Sequence, residues 1–287
     1  METISAKQKI LNFPLTKIIL SLIVCLFFVN IGQIISGKLL LQTPLDKDFR
    51  NLLKGIIVCA LALSSYIIFF KKYEKREVTE FAFKGIARNL ILGILIGAVL
   101  QSLTILVIYM NGGYIISAIN PVSFIIIPLT LAFTAAIIEE ILVRGILFRI
   151  MEEKLGSYIA LIISALIFGF MHLANPNSTI LSCLSIAIEA GLMLGAAFIY
   201  SRNLWLPIAI HFAWNFMQSG IFGAITSGNE TPKSLLVSKI NGVSLITGGE
   251  FGPEASIQAI IFCSVATAIF LALSHKENKI IKPYWKK

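Results

Sequence analysis

Apolar residues run along this chain in long blocks, without the strict alternation of a half-buried strand or the one-sided stripe of a soluble amphipathic helix. About eight blocks approach the length of a membrane-spanning helix, near 15–36, 52–70, 89–110, 121–149, 157–174, 179–200, 203–225 and 255–274. The polar connections are short except at 71–88 and 226–254. The pattern predicts an all-α, polytopic membrane bundle of about eight transmembrane helices, built as a single integral membrane domain over 1–287. The first block follows Lys7 and Lys9 as a signal peptide would. It has no small-residue cleavage site and continues toward Ile35, so it reads as a retained span. The stretch 226–254, with Gly242, Gly248, Gly249, Gly252 and Pro253, reads as an irregular loop.

Composition agrees with this reading. The 287 residues are 57% hydrophobic and 14% charged, against roughly 45–50% and 25% in soluble domains, and the mean hydropathy is +0.86. The net charge of +9 does not point to nucleic acid, because the lysines and arginines gather at the ends of apolar blocks. There they set topology and meet anionic membrane lipid. With both termini cytoplasmic, most of these cations fall on the cytoplasmic side. A compact chain rich in isoleucine, with lysine well ahead of arginine, suggests a multi-pass protein of a bacterial plasma membrane. Cys25, Cys59, Cys183 and Cys263 all lie inside apolar blocks and read as reduced core residues. No CxxC or Cys/His metal spacing occurs.

Against this apolar background the charges within the spans stand out. The run Ile125 to Arg144 carries Glu139, Glu140 and Arg144. An ionised side chain at the centre of a spanning helix costs roughly 2.5–3.5 kcal/mol on insertion scales, so such residues mark sites or pathways. Glu140 and Arg144 are four residues apart and form a natural ion pair. Glu139 points about 100° away around the helix, has no local partner, and is free to face another helix. His172 closes the run Phe168 to His172, and His211 shares a helix face with Asn215. His275 sits at a membrane edge beside Lys276 and reads as a bystander.

These residues are placed to meet. If the fourth and fifth blocks form a hairpin turning at Leu155–Gly156, Glu139 and His172 lie level, each roughly 22–25 Å from the turn. His211 lies about 12 Å from the start of its own helix near Asn203. The estimates agree if the hairpin projects some 10 Å into the cytoplasm, which sets the site in the cytoplasmic half of the bilayer and the 226–254 loop away from it. Two mechanisms fit the set. Glu139, His172 and His211 could bind a divalent metal such as zinc, which polarises water. Alternatively, Glu139 takes a proton from water with help from His172, while His211 and Asn215 hydrogen-bond the oxyanion. Glu189, in the sixth block, is a second-sphere partner, a lining of the water path or a structural contact. Gly191 and Gly195 form a GxxxG spacing suited to close packing inside the bundle.

In this order and on separate spans, Glu139-Glu140-Ile141-Leu142-Val143-Arg144, then Phe168 to His172, then His211 to Asn215 resemble the motifs of the CPBP family. These are the CAAX-protease and bacteriocin-processing intramembrane proteases, related to type II CAAX prenyl endopeptidases. Gly195 to Asn215 and Thr247 to Glu254 also look like the family, within a catalytic core of about 120–274. The resemblance implies an eight-helix, membrane-embedded endopeptidase open to the cytoplasm. Glu139 would activate water with His172, His211 and Asn215 would stabilise the oxyanion, and Glu140, Arg144 and Phe168 would support them. The family's zinc, if present, would sit on Glu139, His172 and His211. The substrate would be a membrane-associated or lipid-modified peptide or protein, as in bacteriocin or signal-peptide processing or self-immunity. The rival readings are a transporter using the same intramembrane charges and a non-proteolytic immunity or scaffold protein. The first predicts inverted repeats, and the second predicts eroded motifs.

Overall fold

The computed structural model describes residues 6–230 and 233–286; Lys287, one of the cations of the C-terminal tail, lies outside them. A short helix, α1 (Ala6–Leu11), leads into α2 (Pro14–Leu41), α3 (Lys47–Tyr73) and α4 (Ile86–Met110). Then come a strand β1 (Tyr114–Ile119), α5 (Ile126–Glu140) and, after a widened turn, α6 (Arg149–Met171). The remaining elements are α7 (Ile180–Ile186), α8 (Met193–Ser201), α9 (Trp205–Asn215), β2 (Leu236–Ile240), α10 (Ser244–Thr247) and α11 (Ile257–Lys276). Among the described residues, six helical stretches are long and apolar enough to cross a membrane. The protein is a multi-pass, mostly helical membrane bundle. The fourth stretch, Val122–Ala174, is 53 residues long and is broken at Gly156, whose φ of 76° and ψ of 167° are not helical. The turn expected near Leu155–Gly156 is therefore present. A side chain at Gly156 would strike the Ile281 carbonyl, 2.8 Å from an added Cβ, so the tail closes over this turn. Trp205–Ile221, which carries the second motif histidine, is too short to count among the six.

Local chemistry explains the helix limits. Pro14 starts α2, where its missing N–H is no loss. Asp46 caps α3 by accepting from the N–H groups of Asp48 and Phe49 at 2.9 and 3.1 Å. Thr179 and Ser182 cap α7 reciprocally, and Ser256 caps α11.

The bundle is inside-out relative to a soluble protein. Along α2 the buried positions are Ile18, Ser21, Cys25, Val29, Gly32 and Ser36, while Ile19, Ile23, Phe27 and Ile34 face outward. Large side chains are left to lipid and small ones let helices approach closely. The closest approach bears on the site: Gly93 and Gly97 of α4 lie directly on the backbone of α9. A Cβ at Gly93 would sit 2.8 Å from the Leu206 carbonyl, and one at Gly97 would sit 3.0 Å from Ala213. Gly191 and Gly195 likewise press on Ala165 and Leu161 of α6, within the bundle.

Two features depart from the sequence reading. A two-stranded antiparallel sheet pairs Tyr114 with Ile240 and Ile119 with Leu236, with an irregularity between Ile116 and Ala118. The 226–254 stretch is thus partly ordered, because β1 offers it backbone hydrogen bonds that no local pattern announces. At the opposite end, charged side chains lace the helix ends together. Glu74 contacts Lys17 at 3.0 Å, Arg76 at 2.9 Å and Arg149 at 3.0 Å. Glu80 holds Arg76 at 2.6 Å and accepts from the Tyr66 hydroxyl. Arg202 reaches Glu152 at 2.6 Å and the carbonyl of Lys279 in the tail.

Burial pushes the Glu74 carboxyl up, but Arg149, Lys17 and Arg76 outweigh it and hold it below its ordinary 4.5. Glu80 is lowered in the same way, burial being outweighed by Arg76 and the Tyr66 hydroxyl. Groups lowered on folding contribute stability that is complete above the ordinary value and is lost as pH falls through the lowered one. The melting temperature in detergent should therefore fall as pH drops below about 4.5. The Glu74→Gln/Glu80→Gln double variant should melt lower at neutral pH and show a smaller acid-induced fall. An undiminished fall in that variant would rule out this network as the source.

Candidate active site

Glu139 and Glu140 end α5 at the point where the helix widens from i→i+4 to i→i+5 hydrogen bonding over Ile141–Phe148. Two further widened turns lie at Ala187–Leu192, around Glu189, and at Phe216–Ile221, directly after Asn215. Such turns re-aim side chains without exposing the backbone to lipid, and they concentrate at functional sites.

Glu140 and Arg144 are both fully buried. Arg144 Nη1 donates to Glu140 Oε1 at 2.8 Å, and Nη2 donates to the carbonyls of Ala190 and Gly191, each at 3.0 Å. The guanidinium also lies 4.5 Å over the Phe168 ring. The same Glu140 Oε1 contacts His211 Nδ1 at 3.0 Å. A carboxylate paired with arginine accepts only, so His211 Nδ1 carries the proton and donates it. The neutral imidazole then presents the lone pair of Nε2, which faces Glu139 Oε2 at 3.9 Å. That gap is too long for a direct hydrogen bond and right for a water between them. Glu139 Oε2 has no hydrogen-bond partner among the described residues, although the Glu139 side chain as a whole is 27% exposed.

His172 follows the last turn of α6 and is half-buried. Its Nδ1 lies 2.9 Å from the Phe168 carbonyl, an acceptor, so Nδ1 donates and Nε2 is again the free lone pair. The Phe168 ring stands 5.0 Å from His172 and 6.1 Å from His211, edge-on to both. It is the apolar wedge that spaces the two imidazoles. Asn215, one turn after His211, lines a cavity of about 20 Å³ together with His172 and His211. That volume accommodates one water-sized group.

A family description, "Type II CAAX prenyl endopeptidase Rce1-like", matches residues 121–217, which include all three polar motifs. Over that stretch the chain is similar to the CPBP, or CAAX-protease, family. No curated protein and no solved structure matched.

The match supports a CAAX-type intramembrane protease in general, and the motif residues converge only in part. Glu139, Glu140 and Arg144 join His211, and Phe168 bridges His211 and His172. No hydrogen bond or ion pair joins Glu139 to His172 among the described residues. Among the described residues, no group of three His, Cys, Asp or Glu is spaced to hold a metal ion.

Two cavity residues came from outside the motifs. Glu254, in the turn before α11, and Ser227, after α9, both line the 20 Å³ cavity, as does Glu189. The 226–254 loop was expected to lie away from the site; instead both of its ends reach it. Element lengths constrain where helices run but not how a loop folds back. Glu254 accepts from the Ser227 N–H and from Gln218 Nε2, and Asn175 Nδ2 donates to the Ser227 carbonyl at 2.9 Å. Burial pushes the Glu254 carboxyl up to about 8, against the lowering effect of Ser227. The glycine-rich Thr247 to Glu254 segment was the available sequence signal. Gly248 and Gly252 adopt positive φ there, 80° and 125°, with backbone from the neighbouring turn against them.

Removing one partner of a buried ion pair costs about 3–5 kcal/mol, because the other charge is stranded. Glu140→Ala should therefore lower the melting temperature sharply, whereas Glu139→Ala, at a partly exposed carboxylate, should change stability by less than about 1 kcal/mol. Equal melting temperatures for the two variants would contradict the division of roles.

Proposed function

We propose that this protein is an intramembrane endopeptidase that hydrolyses peptide bonds of membrane-associated or lipid-modified peptides or proteins in a bacterial plasma membrane. The observation that carries the reading is the facing of Glu139 Oε2 and His211 Nε2 across 3.9 Å, with Glu140 holding the far side of the imidazole. Water placed in that gap is polarised by two acceptors. Glu139 takes its proton as the oxygen attacks the scissile carbonyl. That proton passes on to His211 Nε2, where Glu140 behind the ring stabilises it, and the imidazolium donates from Nε2 to the oxyanion, alongside the neutral amide of Asn215. His172 assists Glu139 from the other side of Phe168.

A bacterial setting fits the lysine-rich, isoleucine-rich composition. The ion-paired end, which carries Lys17, Arg76, Arg149, Arg202 and Lys279, suits a cytoplasmic face. An eight-span arrangement with both termini on that face is supported by the break at Gly156 in the fourth stretch and by reading Trp205–Ile221 as a further span. Processing of a bacteriocin or signal-peptide precursor, or self-immunity, suits an enzyme of this kind. The transporter alternative is weaker, because the polar groups tie helices together here rather than forming a through-path.

Glu139→Gln keeps the shape and removes the base. In purified full-length protein it should lower cleavage of membrane-anchored reporter peptides about 10²–10⁴-fold, with an unchanged melting temperature. Cleavage by the parent protein should survive a strong chelator, because the three donors do not close on one point. A fully active Glu139→Gln variant would overturn the assignment, and chelator loss restored by zinc would establish a metal mechanism instead.

A further inference from the structure

Glu189 and Glu254 have no place in the mechanism above, yet both line the same cavity as His172, His211 and Asn215. Each is 2% exposed. Neither makes an ion pair with a lysine or arginine among the described residues. Arg144 is the cation facing Glu189, and its guanidinium is engaged by Glu140 and the carbonyls of Ala190 and Gly191. Glu254 is fastened by Ser227 and Gln218. The Glu189 side chain has no hydrogen-bond partner among the described residues and is turned into the cavity from the widened turn at Ala187–Leu192.

Two carboxyl groups enclosed side by side without a dedicated counter-ion are costly to keep, and a cationic ligand relieves that cost. The space between them and the catalytic imidazoles is about 20 Å³. An ammonium head is a compact point charge close to the size of a water molecule, whereas a guanidinium is a broad plane. The cavity therefore selects an ammonium. Peptide hydrolysis generates such a group: when the C–N bond breaks, its electron pair stays on nitrogen, which takes two protons in all, one to leave as the amine and one to become an α-ammonium.

We propose that Glu189 and Glu254 form a subsite for the ammonium group of the new N-terminus, set beside the water-activating residues. This rests on the endopeptidase reading above and adds the side of the reaction that the motif residues leave unserved. The carboxyl proton retained by buried Glu254 is available to the departing nitrogen. The new carboxylic acid releases the second proton that the nitrogen takes, and the proton removed from water at Glu139 returns through solvent to Glu254, so the cycle balances with water alone. Glu254 also places this subsite under the control of the loop it anchors, since a shift of the turn before α11 would remove one of its walls.

The test uses binding, so it stands apart from cleavage. The detergent-solubilised full chain is titrated with glycinamide, which models a new N-terminus, and with N-acetylglycinamide, n-butylammonium and tetramethylammonium at equal ionic strength. The melting temperature is followed, because a ligand of the folded state raises it. Glycinamide should stabilise the parent, while its acetylated form and tetramethylammonium should not. In Glu189→Gln the apparent glycinamide affinity should fall about tenfold or more, the expected loss of a charge-assisted hydrogen bond. Glu254→Gln should do the same, and Glu189→Gln keeps the test decisive if the Glu254 variant fails to fold. Equal shifts with glycinamide and its acetylated form would overturn the proposal, as would unchanged affinity in Glu189→Gln. A response to n-butylammonium alone would overturn it in favour of a lysine side chain. Loss of cleavage in Glu139→Gln with glycinamide binding intact would separate this subsite from the water-activating centre.

Discussion

One carboxylate oxygen organises this protein. Glu140 Oε1 accepts from Arg144 at 2.8 Å and from His211 at 3.0 Å, in an environment with no exposed surface. Through Arg144 the same anion reaches the carbonyls of Ala190 and Gly191 and the face of Phe168. The end of α5 and the widened turn after it, the C-terminal end of α6, the widened turn between α7 and α8, and α9 are thereby held to a single point. In a low-dielectric interior such bonds are strong, and their loss is severe. Stability of the bundle and orientation of His211 are consequences of the same interaction. An anion that only held helices together would be replaceable by apolar packing; one that also fixes which imidazole nitrogen carries the proton is not.

The membrane limits how such a site is built. Lipid supplies no hydrogen bonds, so a spanning helix cannot simply unwind to aim a side chain. Here the helices widen instead, at Ile141–Phe148, Ala187–Leu192 and Phe216–Ile221, each beside residues of the cavity or its supports. Close packing does the remainder: Gly93 and Gly97 let α4 lie against α9 and press the His211 helix into place.

Much of this was legible in the chain. The apolar blocks gave the helices and the turn at Gly156. The i,i+4 spacing of Glu140 and Arg144 was enough to expect their pairing, because helix geometry alone brings those positions together. The order of the three motifs by itself points to the CAAX-protease family. The second partner of Glu140 was not legible. Glu139 was the residue expected to face the histidines, and nothing in the spacing shows that His211 would divide its two nitrogens between neighbouring glutamates. Ser227 leaves no mark in the sequence and Glu254 is marked only as the end of the Thr247–Glu254 segment, because length and charge say nothing about a loop folding back. The pairing of Tyr114–Ile119 with Leu236–Ile240 joins segments more than a hundred residues apart and leaves no periodic trace in either.

By itself, then, the sequence determined that the chain is a membrane bundle, which helices carry its chemistry, and which residue pairs a single helix brings together. Those properties depend on hydropathy and on the fixed rise and turn of a helix, both of which are local. Only the tertiary structure decided that His211 donates to Glu140 while facing Glu139, that Phe168 spaces the imidazoles, and that Glu189 and Glu254 share their cavity. Each of these depends on the tilt and rotation of helices packed through small residues and on the path of a loop, which are set by contacts between distant segments. The two adjacent glutamates show the division plainly: their neighbourhood in sequence marks a site, and the different partners they find across the bundle give them different work.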